Sequence, residues 1–320
     1  MSLYPRLDDL LELRHQARAF GLPSHHLVNS AFAGLYASVF RGAGLNFEEV
    51  RDYREGDDIR YMDWKVTART NEPHMKIFRE ERERSVFLCV DKGPQMAFGT
   101  RGTFKSVQAA RAAALLGWAA SRLNDRVGGL IFGDGGGRGR QEVVAPQDAD
   151  APYLQHFRPA RGRRALWQLL RALSEPAIPI APPTDPLIEA LRRTDSGLPT
   201  GSLIFAIGDF NREVAPLEQV LGNLCQRHTL VLLPIDDPAD WEIPPMGLMT
   251  FRGPGGELVE IDTDDPEAQR RYRALWEERR ARLKAIAQRL HILLFPVRTQ
   301  DEIHLALLRH LEQRARSRAV

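Results

Sequence analysis

The run Ser85-Val86-Phe87-Leu88-Cys89-Val90-Asp91 is apolar without interruption and closes on a carboxylate. A strand apolar at every position, rather than at every second one, has to be covered on both faces. That is the condition of a central strand in a parallel sheet lying between layers of helix. The chain downstream alternates accordingly. Helix is predicted at 105–123, 165–173, 186–193, 216–225, 267–290 and from 301 onward, and strand at 127–132, around 143, and at 203–207, 229–235 and 292–295. The fold class this predicts is α/β, a doubly wound and mostly parallel sheet. Residues 241–265, which mix Pro, Gly and short apolar pieces, are expected as an edge hairpin, 177–184 as a Pro-rich connection, and 314–320 as a fraying tail.

Upstream, Leu7, Leu10, Leu11, Leu13 and Ala17 recur near helical spacing until Gly21-Leu22-Pro23 ends the helix. Between 31 and 85 the pattern shortens, with aromatic and β-branched residues broken by Gly42, Gly44, Gly56 and Pro73, which predicts short strands and tight turns. Two units follow: 1–84, a helix plus a β-rich accessory segment, and 85–320, the α/β domain. A chain of 320 residues accommodates both.

Composition narrows the function classes. With 44 Lys and Arg against 42 Asp and Glu, the net charge of +2 lacks the excess of a general nucleic-acid binder. The local cluster Arg158, Arg161, Arg163 and Arg164 is the place where a phosphate or an acidic partner would be met. Cys89 in an apolar strand and Cys225 near a helix end read as small hydrophobes of a reducing compartment, so a cytoplasmic location is expected. Charged residues among the first leucines break any signal-peptide core, and no apolar run reaches the roughly 18 residues of a membrane span.

The densest chemistry precedes the first strand. In 56–69, Gly56, Asp57, Asp58, Arg60, Tyr61, Asp63, Trp64, Lys65 and Arg69 set three carboxylates and three cations around a Trp. Charges withdrawn from water persist only when paired, so a structural lattice is favoured, with Trp64 and Tyr61 burying the seam between the two units. With its flanks at 40–53 and 80–85, this string resembles the signature of the family called domain of unknown function 58. The resemblance implies a von Willebrand factor A-like domain after a smaller β-rich segment, in bacterial proteins often associated with MoxR-type AAA+ ATPases.

Open α/β sheets hold ligands beyond the carboxyl ends of their strands, where strand order reverses. Asp91, Thr184 next to Asp185, and Asp209 are predicted to converge there. In von Willebrand A domains the matching positions form a metal-ion-dependent adhesion site, opened by Asp-x-Ser-x-Ser. This chain has Asp91-Lys92-Gly93-Pro94-Gln95, so both hydroxyl ligands are missing and the Gln95 carbonyl is the one replacement. The expected metal set is therefore degenerate: Asp91, Gln95, Thr184 and Asp209, with Mg²⁺ the ion it would take and no other cofactor implied. Lys92 is a candidate to neutralise Asp91 or Asp209 without metal. Plainer roles compete: Thr184 or Asp185 as a helix cap, and Asp209 holding its own loop. The expectation is a non-enzymatic interaction module, plausibly an adaptor or co-chaperone of a MoxR-type ATPase. The alternative is a metal-dependent hydrolase using Asp91 and Asp209.

Overall fold

The computed structural model describes residues 4–19, 39, 49–53, 62, 64–77, 85–134, 154–177, 185–212, 215–252 and 257–319. In chain order these form α1 (Leu7–Ala19), β1 (Glu49–Asp52), α2 (Trp64–Thr70), β2 (His74–Ile77), β3 (Ser85–Asp91), α3 (Lys105–Arg122), β4 (Arg126–Phe132) and β5 (Leu154–Ala160). They continue with α4 (Arg163–Ser174), α5 (Pro186–Gly197), β6 (Leu203–Gly208), α6 (Ala215–Arg227), β7 (Thr229–Asp236), β8 (Leu248–Arg252) and β9 (Leu258–Asp262). The last elements are α7 (Pro266–Arg289), β10 (Leu293–Leu294), β11 (Val297–Arg298) and α8 (Ile303–Ala319).

The main sheet runs β10-β7-β6-β3-β4-β5, with β11 also alongside β7. Every pairing is parallel except that of β4 with β5. The chain starts in the middle at β3, winds outward through β4 and β5, then returns to the other side of β3 for β6, β7 and β10. This is the order of a doubly wound sheet, and its switch point lies between β3 and β6. As the uninterrupted apolar runs require, both faces are covered. Val86, Leu88 and Val90 enter one core with α1, α3, α4 and α8, while Phe87 and Cys89 enter the other with α5, α6 and α7. Among the described residues, no helix is long and apolar enough to cross a membrane.

Three expectations are corrected. Residues 241–265 do contain a hairpin, but among the described residues β8 and β9 pair with each other alone, as a separate antiparallel ladder rather than an edge of the main sheet. The tail stays helical to Ala319. Helix α1, by contrast, packs against the body as its apolar spacing implies: Leu10 and Leu13 are buried in the α/β core, and the Trp118 indole N–H of α3 donates to the Leu10 carbonyl at 3.0 Å. Amphipathic helices go where their apolar stripe is covered, and here that is the sheet. Finally, Trp64 is 65% exposed and Arg69 is exposed, so Trp64 buries no seam. Helix α2 and the β1–β2 ladder are what the structure describes of the accessory segment. Gly56, Asp57, Asp58, Arg60, Tyr61 and Asp63 and the strand expected around 143 lie outside the described residues.

Candidate functional site at the carboxyl end of the sheet

Strand β3 delivers Asp91 to the switch point, and β6 delivers Asp209 one residue beyond its end. Both carboxylates are buried. The two sit close enough for Asp209 to push Asp91 toward its neutral form. Gly208 makes this approach possible, because a Cβ there would lie 2.5 Å from the Asp91 Cβ.

Each oxygen of this pair faces an N–H donor. Asp91 Oδ1 accepts from the Gly93 backbone at 2.9 Å, and the Gln95 amide nitrogen reaches Oδ1 at 3.1 Å and Oδ2 at 2.9 Å. The Arg212 Nη2 reaches Asp91 Oδ2 at 3.1 Å, and Nη1 pairs with Asp185 Oδ1. Asp209 Oδ1 accepts the Asn211 backbone N–H at 2.7 Å, and its Oδ2 lies 3.0 Å from the Lys105 ammonium. Lys105, fully buried, also reaches Asp240 Oδ1 at 2.7 Å. Two cations of the chain thus bridge two pairs of carboxylates, Asp91 with Asp185 and Asp209 with Asp240.

Electrostatics follow from this arrangement. Burial pushes Asp91 up to about 6, against the pull of Arg212, the Gly93 N–H and Gln95. Burial also raises Asp240, with Lys105 opposing it, and Asp236, with Arg280 opposing it. For Lys105 burial works downward, but Asp209 and Asp240 together overcome it and hold the ammonium above the usual lysine range. Asp237 is displaced the other way. Burial would raise it, yet bonds from the Thr100 and Thr299 hydroxyls and from the Thr100 and Ala239 amides favour its charged form and win.

The sequence-predicted residues are placed as follows. Asp91, Gln95 and Asp209 come together. Thr184 lies outside the described residues; its neighbour Asp185 caps α5 through the Leu187 N–H at 2.9 Å and joins the site through Arg212. Asp209 holds its own loop, as the plainer reading expected. Lys92 neutralises neither carboxylate: its ammonium lies 2.8 Å from Asp134 and 3.0 Å from the Ala172 carbonyl. Successive strand positions point to opposite faces, so the residue after Asp91 turns toward α4. Arg212, Lys105 and Asp240 were missed. Lys105 carried a usable signal, since a cation in the first turn of a helix opposes the helix dipole and calls for carboxylates nearby.

The described members of the predicted set, Asp91, Gln95 and Asp209, do not fit Mg²⁺ as they are paired here. That ion needs near-octahedral oxygen ligands, whereas Gln95 presents its amide nitrogen to Asp91, and the lone pairs of Asp91 and Asp209 point at N–H groups, two of them cationic. Beside Asp91 and Lys92 lies a cavity of about 230 Å³, lined also by Tyr4, Phe104, Gly133 and Glu175. It is smaller than the about 300–1,000 Å³ usual for small-molecule pockets.

Fold and site together define a class: an α/β protein with a doubly wound sheet whose switch-point carboxylates are closed by the chain's own Arg and Lys. The chain belongs to the family described as protein of unknown function DUF58, whose profile matches residues 49–282. Among its relatives are uncharacterized proteins of Mycobacterium bovis and Mycobacterium tuberculosis. Each is 27% identical over 254 residues, covering 78% of this chain and 73% of the relative.

Proposed function

We propose that this chain is a non-enzymatic protein-interaction module, an adaptor or co-chaperone of a MoxR-type AAA+ ATPase, built on a von Willebrand factor A-like domain with a degenerate metal-ion-dependent adhesion site. The observation that carries the reading is the double clamp of Arg212 on Asp91 and Asp185 and of Lys105 on Asp209 and Asp240. Lone pairs that would hold an ion or take a proton from an attacking water are already engaged by cations of the chain. A hydrolase built on Asp91 and Asp209 needs those lone pairs free, and no observation favours that alternative. Support for the ATPase as partner comes from the family resemblance.

Two measurements test the reading. Immobilised protein should retain a MoxR-type ATPase in at least one of its nucleotide states, and retention at background in all of them sinks the partner. Titration calorimetry with millimolar Mg²⁺ should give only heat of dilution. A saturable isotherm lost in Asp91→Asn would restore a metal-dependent role.

A further inference from the structure

The β8–β9 ladder follows the carboxyl end of β7 and, among the described residues, has no third strand. A two-stranded ladder is marginal in water unless something packs on it. This one nevertheless leaves Leu248 at 68% and Leu258 at 65% exposure. Its register places Leu248 opposite Asp262 and Thr250 opposite Glu260. One face therefore carries Leu248, Thr250, Leu258, Glu260 and Asp262, with Arg252 in register opposite Leu258, and is acidic by a single charge. From 241 to 265 the chain carries six carboxylates against the single Arg252, although the whole protein is slightly cationic.

The complementary surface lies on the same chain. From Leu154 to Glu175 there are five arginines and one carboxylate, Glu175, which lies 3.8 Å from Arg171. On α4, Arg163, Trp167 and Arg171 stand four residues apart and share one exposed stripe. Trp167 is 38% exposed, with the Arg171 guanidinium 5.5 Å from its ring centre. The stripe offers an aromatic anchor between cations where the arm offers leucines beside carboxylates.

Within one chain the two surfaces face apart. The arm is tied to α7, where Gln269 donates to the Thr263 carbonyl at 2.7 Å and Tyr272 to the Ala239 carbonyl at 2.8 Å. Helix α7 covers the sheet face opposite to α4. Between β7 and β5 lie four strand spacings, about 19 Å. We propose that the β8–β9 arm of one chain docks on the Arg163–Trp167–Arg171 stripe of a second copy. The two surfaces differ, so the contact is heterologous and propagates into a ring or a filament instead of closing as a twofold dimer. Two five-residue strands cover less than the about 800 Å² per partner of a standard interface, so the association is weak and salt-sensitive. This inference is independent of the ATPase and of any metal.

Sedimentation velocity on the full chain over about 1–100 µM tests it. The wild-type mass should climb past that of two chains and fall back to 36.1 kDa at high salt. An arm variant, Leu258→Ser with Glu260→Ser, and a stripe variant, Arg163→Ser with Trp167→Ser and Arg171→Ser, should each remain at one chain. The arm side chains are exposed, so the arm variant should melt as the wild type does, whereas the stripe variant loses the covered part of Trp167 and should melt lower while keeping the wild-type far-UV circular dichroism spectrum. Mixed in equal amounts, the variants should form one-to-one pairs that grow no further, because each supplies the surface the other lacks. A wild type that stays monomeric throughout, a single variant that still polymerises, or a mixture that does not pair overturns the proposal. So does a stripe that binds a labelled oligonucleotide while the chains remain apart.

Discussion

Replacing Lys105 by Met removes the cation from between Asp209 and Asp240 while keeping most of its volume. Removing one member of a buried ion pair costs about 3–5 kcal/mol, because the remaining charge is stranded in a poor solvent. Here two carboxylates are stranded. Each keeps one backbone donor, Asn211 N–H for Asp209 and Asp237 N–H for Asp240, which places the loss near 4 kcal/mol at pH 8. For a body of this size that lowers the melting temperature by about 8–16 °C. The pH dependence separates this account from simple loss of packing. Because Lys105 has a raised folded pKa, its stabilisation is fully present below the unfolded lysine value near ~10.4 and disappears only as pH rises through the folded one. Titration of Lys105 itself therefore adds nothing between pH 5 and 8. In the variant, Asp240 loses the attraction that opposes its burial, so its pKa climbs further and protonation relieves it. The gap between wild type and Lys105→Met should narrow as pH falls from 8 to 5, and Lys105→Met with Asp209→Asn and Asp240→Asn should recover much of the stability. Urea unfolding followed by far-UV circular dichroism at the two pH values measures both. A loss at pH 8 under about 1 kcal/mol, the size of an exposed pair, or a gap equal at both pH values, would refute the reasoning.

Asp91→Asn should flatten the stability profile between pH 4 and 6. The folded carboxyl takes its proton at about 6 against an ordinary 3.8, so its contribution falls by about 3 kcal/mol as pH rises across that window, and an unchanged slope by denaturant titration contradicts the assignment. Gly208→Ala should cost about 1–3 kcal/mol, since its methyl would overlap Asp91, and a midpoint within error of wild type would show that the strand ends lie further apart. Trp118→Phe loses the hydrogen bond to the Leu10 carbonyl, worth about 1 kcal/mol, and should speed amide exchange in α1 while β3 and β6 stay protected. Equal acceleration in the sheet would mean that α1 is no separate unit.

How much of this was legible follows from which interactions are local. The strands β3, β6 and β7 and the carboxylates that close or follow them could be read because an uninterrupted apolar run followed by Asp carries its own burial and direction. The clamp could not, since it depends on distant pairings: Lys105 meets Asp209 and Asp240 across 104 and 135 residues, and Arg212 meets Asp91 across 121. Composition offered 44 cations for those carboxylates, and only the strand order selects two of them. Lys92 shows the opposite failure. Adjacency to Asp91 made it a candidate partner without fixing its direction, and the pleat sends neighbouring side chains to opposite faces. Trp64 was placed at a seam because three carboxylates and three cations crowd around it in sequence, yet it is exposed, and a lone exposed aromatic needs no seam to explain it.

The two clamps also decide where motion is cheap. Arg212, just after β6, ties the end of β3 to the start of α5, while Lys105, at the start of α3, ties the end of β6 to the turn after β7. Each cation crosses between loops that a bare switch point leaves independent. Shifting any of these loops strands a buried charge, at a cost of several kcal/mol that thermal fluctuation does not meet. A site held by a bound ion would loosen and tighten with ion concentration, whereas one held by Arg and Lys has its charge fixed by the fold. In the interaction role proposed above, this rim acts as a preformed surface. The β8–β9 arm lies outside the lattice, and its base is joined to the body by the bonds at Thr263 and Ala239 and by an exposed pair of Glu242 with Arg273 at 3.4 Å. Regulated movement on docking therefore belongs to the arm, and slow amide exchange at the rim with fast exchange in β8 and β9 is the pattern that this division of the molecule requires.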